Sequence, residues 1–164
     1  MSQAWILDIG CTLPVAIGSR ELLQLISAPQ PYTVPLAPAY CQHVVAWQDR
    51  LLAVMDLSQR LTASAQSFTE NSLLAVVAFQ SLLTHQVEVA AIMLTQPPHK
   101  VEVSNQDALP ADQDTAWGNL AISGFTWQQK PIAILDLGRV FAPMIGAQPL
   151  RQIQQPPIPS ALAA

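Results

Sequence analysis

The chain has 164 residues, a formal net charge of −4 and only 11% charged residues against 51% hydrophobic ones. An ordinary domain carries about 25% charged residues, so this length supports one domain with a large core and a surface of Gln, Ser, Thr, Pro and exposed apolar groups. Seven scattered Lys and Arg residues exclude the clustered cations of a nucleic-acid surface. Direct membrane insertion is not expected either, because apolar runs such as Leu73–Phe79 fall far below the roughly 20 residues that span a bilayer.

Met1-Ser2-Gln3-Ala4-Trp5 has neither the basic stretch nor the apolar run of a secretory leader. Cys11 and Cys41 are two isolated cysteines, too few for a disulfide framework, so a reduced, cytoplasmic protein is expected. Prolines spread along the chain argue against long helices. Short apolar segments between polar turns predict strands near Trp5–Ile9, Leu13–Ile17, His43–Trp47, Leu51–Met55, Leu73–Phe79, Val87–Leu94, Lys100–Val103, Leu120–Thr126 and Ile132–Leu135. Ser19–Ile26 reads equally as a helix capped by Ser19 or as extended chain. Thr62–Ser72 and Ser104–Ala116 read as loops, the second solvated by Asp107, Asp112 and Asp114. From Ala147 the chain is a proline-rich tail, extended or mobile.

An internal repeat organises these elements. Trp47-Gln48-Asp49-Arg50-Leu51-Leu52-Ala53-Val54-Met55-Asp56-Leu57 aligns without a gap on Trp127-Gln128-Gln129-Lys130-Pro131-Ile132-Ala133-Ile134-Leu135-Asp136-Leu137. Each copy reads as a hairpin whose second strand closes on Asp-Leu. Two copies imply two similar lobes, each a small closed barrel of short strands. The expected boundaries are residues 13–72 for the first lobe and 73–140 for the second. Terminal segments pack across them, the body spans 1–146, and 147–164 form the tail.

In order along the chain, these segments resemble the CheW-like domain family of chemotaxis coupling proteins. The segments that carry the likeness are Trp5–Gly10, Leu13-Pro14-Val15-Ala16-Ile17, Leu22–Leu25, Pro35–Tyr40 and the hairpin Val44–Leu57 in the first half. Val87–Leu94, Val101–Val103, Gly124-Phe125 and Ile132–Leu137 carry it in the second. The resemblance implies an all-β fold of two five-stranded SH3-like barrels sharing a hydrophobic core. It also implies a non-enzymatic adaptor, without cofactor or metal, that bridges a CheA-type histidine kinase regulatory domain and a chemoreceptor tip, or contacts another CheW-like domain. Stand-alone relatives serve flagellar chemotaxis or type IV pili. The partner-binding residues implied are Leu22, Gln24, His43, Val44, Trp47, Gln48, Asp49 and Arg50 on the first lobe, with Trp127, Gln128 and Lys130 on the second. Three positions depart from the family pattern: His43 stands where glycine is usual, Gln24 where glutamate is frequent, and Gln48-Asp49 where the hairpin turn carries Arg-Gly. Glutamine cannot reproduce bidentate guanidinium chemistry. Arg50, two positions on, would return to the same face if the strand alternated there. A diverged adaptor with a partner outside chemotaxis is therefore an alternative, as is a small-molecule sensor with a pocket between the lobes.

Covalent chemistry has little support in the residues. Asp56 and Asp136 follow strands and suit helix N-caps, with Gln59 three residues after Asp56. Cys11, Cys41 and His43 could supply three metal ligands, but without a Cys-x-x-Cys spacing, and Cys41 with His43 is the weak enzymatic reading. No phosphate loop, nucleophile elbow or His-Glu-x-x-His is present. Trp47 and Trp127 serve either as barrel plugs or as interface anchors.

Overall fold

The computed structural model describes residues 1–11, 14–63, 66–111 and 117–146, with side chains to residue 142 in the last segment. The tail at 147–164 lies outside these residues, as do Leu13, Asp112 and Asp114.

Among the described residues, twelve strands form two six-stranded sheets. Sheet 1 has the order β3 (Leu22–Ser27), β7 (Leu73–Gln80), β8 (Val87–Leu94), β6 (Arg50–Met55), β5 (His43–Trp47) and β4 (Tyr32–Thr33). Sheet 2 has the order β9 (Gln96–Val103), β1 (Ser2–Asp8), β2 (Val15–Gly18), β12 (Lys130–Leu135), β11 (Ala121–Trp127) and β10 (Ala108–Leu109). Each sheet contains five strands of four residues or more and one of two residues. Among the described residues neither closes into a ring by strand pairing, so the expected closed barrels are open sheets with edges at β3 and β4, and at β9 and β10.

The sheets match strand for strand. In both, the repeat hairpin (β5–β6 or β11–β12) pairs in parallel with an antiparallel hairpin: Val54 opposite Ala91 in sheet 1, Ile134 opposite Ala16 in sheet 2. The hairpins β1–β2 and β7–β8 are exchanged. Each sits in the sheet whose other four strands come from the other half of the chain. Two duplicated units thus hold each other by donated strands, with no edge left between unit and donated hairpin.

Three cores follow from that exchange. Alternate residues of the central strands face opposite ways. Leu7, Ile9, Val15, Ile17, Ala75, Val77, Phe79, Ala90 and Ile92 fill the space between the sheets, with Leu57, Leu137 and Phe141 from the helices. Val45, Leu52, Val54, Leu74, Val76, Ala91 and Met93 fill the far side of sheet 1. Ala4, Ile6, Ala16, Phe125 and Ile132 fill the far side of sheet 2. Strands buried on both faces read as continuous apolar runs, which is why Leu73–Phe79 is so apolar.

Each hairpin is followed by a helix: α1 (Leu57–Thr62) after Asp56, and α2 (Leu137–Gly146) after Asp136. Asp56 caps α1, its Oδ1 accepting from Gln59 N at 3.0 Å while Oδ2 accepts from Gln66 N at 2.9 Å. Asp136 accepts from Arg139 N at 3.4 Å and pairs with the Arg139 Nε at 3.2 Å. A short 3-10 turn precedes each hairpin, and the equivalent bonds Asp56 N to Tyr40 O and Asp136 N to Leu120 O are both 2.8 Å. Both aspartates are therefore structural caps.

Several sequence expectations change in detail. Ser19–Ile26 is extended, as β3 from Leu22. β9 begins at Gln96 and includes Pro97 and Pro98, which an edge strand tolerates because its outer N–H groups need no partner. Thr62 ends α1, and β10 lies inside the Ser104–Ala116 segment.

Candidate interaction surface

Both repeat hairpins turn over two residues with positive φ: Gln48 at 45° and Asp49 at 61°, Gln128 at 47° and Gln129 at 62°. Two-residue loops with both φ positive are the primed turns that fit strand twist. Gln48 and Asp49 are therefore exposed at a tip rather than on a strand, and alternation from Gln48 to Arg50 does not apply. Arg50 pairs across from Trp47 and is exposed; Lys130 pairs across from Trp127 and is exposed.

Trp47 and Trp127 occupy equivalent positions in their sheets. Each is half-buried at the rim of its own sheet's outer core. The Trp47 indole N–H donates to Gln24 Oε1 at 2.9 Å. Since β3 and β5 are separated by three strands, this bond shows how far sheet 1 curls on itself. The structure thus brings Gln24 to the hairpin tip with Trp47, Gln48, Asp49 and Arg50. Leu22 turns inward to the core between the sheets. Val44 pairs with Tyr32 and Ala53, and the His43 ring stands edge-on to Phe68 with centroids 4.7 Å apart. Trp127, Gln128 and Lys130 lie on sheet 2, so the implied contact residues divide between two sheets.

Sequence reasoning overlooked the apolar surface beside this tip. Leu23 is 49% exposed, Leu25 38% and Leu51 66%, with Tyr32, Val34 and Leu36 also exposed. The available signal was the absence of charge and proline from Leu22–Ser27. Its counterpart β9 carries Pro97, Pro98, His99, Lys100 and Glu102. Edge strands are ordinarily guarded in the manner of β9. β3 has no such guard.

Burial raises the Cys41 thiol above its ordinary pKa, against a smaller opposing effect of Arg60. A protonated thiol is a poor nucleophile. Among the described residues no three His, Cys, Asp or Glu side chains cluster as metal ligands, and no helix is long and apolar enough to cross a membrane.

The model of the CheW-like domain matches residues 10–143 of this chain. Among solved structures, the scaffolding protein TtCheW from Thermoanaerobacter tengcongensis superposes with a TM-score of 0.71 at 12% identity, covering 85% of this chain and 87% of that one. No curated protein matches the sequence. The exchanged hairpins, the two matched sheets and the family match over residues 10–143 agree: this chain belongs to the CheW-like domain family.

Proposed function

We propose that this chain is a non-enzymatic adaptor of a chemosensory system. It joins a CheA-type histidine kinase regulatory domain to a receptor tip or to another CheW-like domain, in chemotaxis or in type IV pilus control. The observation that supports this reading best is the contrast between the two sheet edges. β3 exposes Leu23 and Leu25 with no charge, while β9 is guarded by prolines and charges. With the β5–β6 tip held against β3 by the Trp47–Gln24 bond, edge and tip form one surface suited to a protein partner, apolar and uncharged along β3 and carrying the exposed Asp49 and Arg50 at the tip. The inter-sheet space of the sensor alternative is filled by Leu7, Ile17, Val77 and Ile92, all fully buried.

Calorimetric titration of the full chain with a CheA-type regulatory domain tests the reading. Affinity carried by aliphatic anchors changes little between low and moderate salt, and Leu23→Asp with Leu25→Asp weakens it by about tenfold or more. Binding that collapses with salt, or that survives both substitutions, contradicts the assignment.

A further inference from the structure

The repeat also exposes a difference at the open mouth of each curled sheet. In sheet 1, Gln24 lies opposite Val76, Val76 opposite Ala91, and Ala91 opposite Val54. In sheet 2, His99 lies opposite Ile6, Ile6 opposite Ala16, and Ala16 opposite Ile134. Val54 and Ile134 are equivalent in the repeat, so His99 stands in the place of Gln24. Gln24 bonds to Trp47 and bridges its mouth. His99 and Trp127 instead flank a pocket of about 260 Å³. Ile6 and Ile132 contribute its apolar part, and Asp8 and Lys130 both line it.

Among the described residues, the Trp127 indole N–H, the His99 ring and the Lys130 ammonium have no hydrogen-bonding or ionic partner. Asp8 Oδ1 accepts from Gly10 N at 3.1 Å, and Asp8 and Lys130 share the pocket without pairing with each other. One acid and one base that line the same small pocket without pairing fit a ligand that carries both charges. The volume lies just under the roughly 300 Å³ where drug-sized sites begin, which suits a ligand of amino-acid size.

We propose that the sheet 2 mouth binds a free, zwitterionic α-amino acid with an apolar side chain. Its carboxylate faces Lys130 and the Trp127 N–H, its ammonium faces Asp8, and its side chain lies on Ile6 and Ile132. The site is independent of the β3 edge and does not rest on the adaptor reading.

The test is an NMR titration of the isotope-labelled full chain with L-leucine, L-isoleucine and L-valine, followed at the Trp127 indole resonance. 4-Methylpentanoate and isopentylamine, each bearing one charge, serve as controls. At least one amino acid gives saturable shifts, and the single-charge controls bind roughly tenfold or more weakly. Asp8→Asn and Lys130→Met each weaken binding by a similar factor while thermal unfolding stays unchanged. His99→Gln, which places an amide where Gln24 sits in sheet 1, closes the mouth and abolishes binding. Absence of any saturable shift overturns the proposal, as does undiminished affinity in any of the three variants.

Discussion

Arg60 donates a guanidinium hydrogen bond to the backbone carbonyl of Val140, the residue that occupies Arg60's own place in the second copy of the repeat. The two helices that follow the duplicated hairpins therefore meet about the internal symmetry, and this contact breaks it, since Val140 has no donor to return. Arg60 also lies over the Tyr40 ring, 5.5 Å from its centroid. Burial lowers the guanidinium pKa, partly offset by Tyr40 and Cys41.

A hydrogen bond from a charged group contributes about 1.5–3 kcal/mol. Arg60→Met keeps much of the aliphatic stem and is expected to destabilise the fold by about that amount in urea unfolding. An unchanged midpoint would show that the helices do not depend on the bond.

The Trp47–Gln24 bond is solvent-exposed, so its contribution is smaller. Gln24→Ala is expected to cost about 0.5–1.5 kcal/mol and to red-shift Trp47 fluorescence as the indole loses its cover. Gln24→Glu, the residue common in the family, keeps an acceptor and leaves the emission unchanged. Identical spectra for Gln24→Ala and the parent chain would contradict the geometry.

The turn at Gln48-Asp49 holds two non-glycine residues at positive φ, a conformation that costs an L-residue roughly 1–2 kcal/mol. Asp49→Gly relieves that strain but adds unfolded-state freedom. The net expectation is a stabilisation of about 0.5–1 kcal/mol, read as a higher urea midpoint. A lower midpoint would mean that the Asp49 side chain stabilises the turn by more than the strain it carries.

Glu21 sets a pH dependence. Desolvation by burial raises its pKa, the bond from Gly18 N to Oε2 at 2.6 Å opposes the rise, and nearby Asp136 adds to it. With the folded pKa above the unfolded one, the native state holds the proton more tightly. This contribution to stability is complete below the ordinary glutamate value and is lost as pH rises through the raised one. Acidification from neutral toward the ordinary carboxylate range therefore stabilises through this group. Glu21→Gln, which still accepts from Gly18 N, is more stable than the parent at neutral pH and lacks that acid gain. Parallel pH profiles for the two proteins would exclude the account.

Much of this fold was legible in the residues. The bounds of β5 and β8 agree with the sequence reading at both ends, because short, mostly apolar segments between polar turns mark them. The repeat announced both hairpins and both aspartate caps, whose signals are local. Long-range features were not legible. Leu22–Ser27 resisted assignment because a bulge between Leu22 and Gln24 interrupts its alternation. Pro97 and Pro98 hid the start of β9, since their tolerance depends on the strand's being an edge. The exchange of β1–β2 and β7–β8 leaves no trace in composition, and the meeting of Gln24 with Trp47 depends on the curl of a whole sheet. The tip residues were therefore named from sequence, whereas Leu23, Leu25 and His99 gained meaning only once the two sheets were set against each other.

Hydrogen–deuterium exchange of the full chain, with and without a CheA-type regulatory domain, addresses the adaptor surface most directly. The expected footprint is slowed exchange over Leu22–Ser27 and over residues 46–51, with β9 unaffected. No protection, or protection confined to β9 and the sheet 2 mouth, would contradict it.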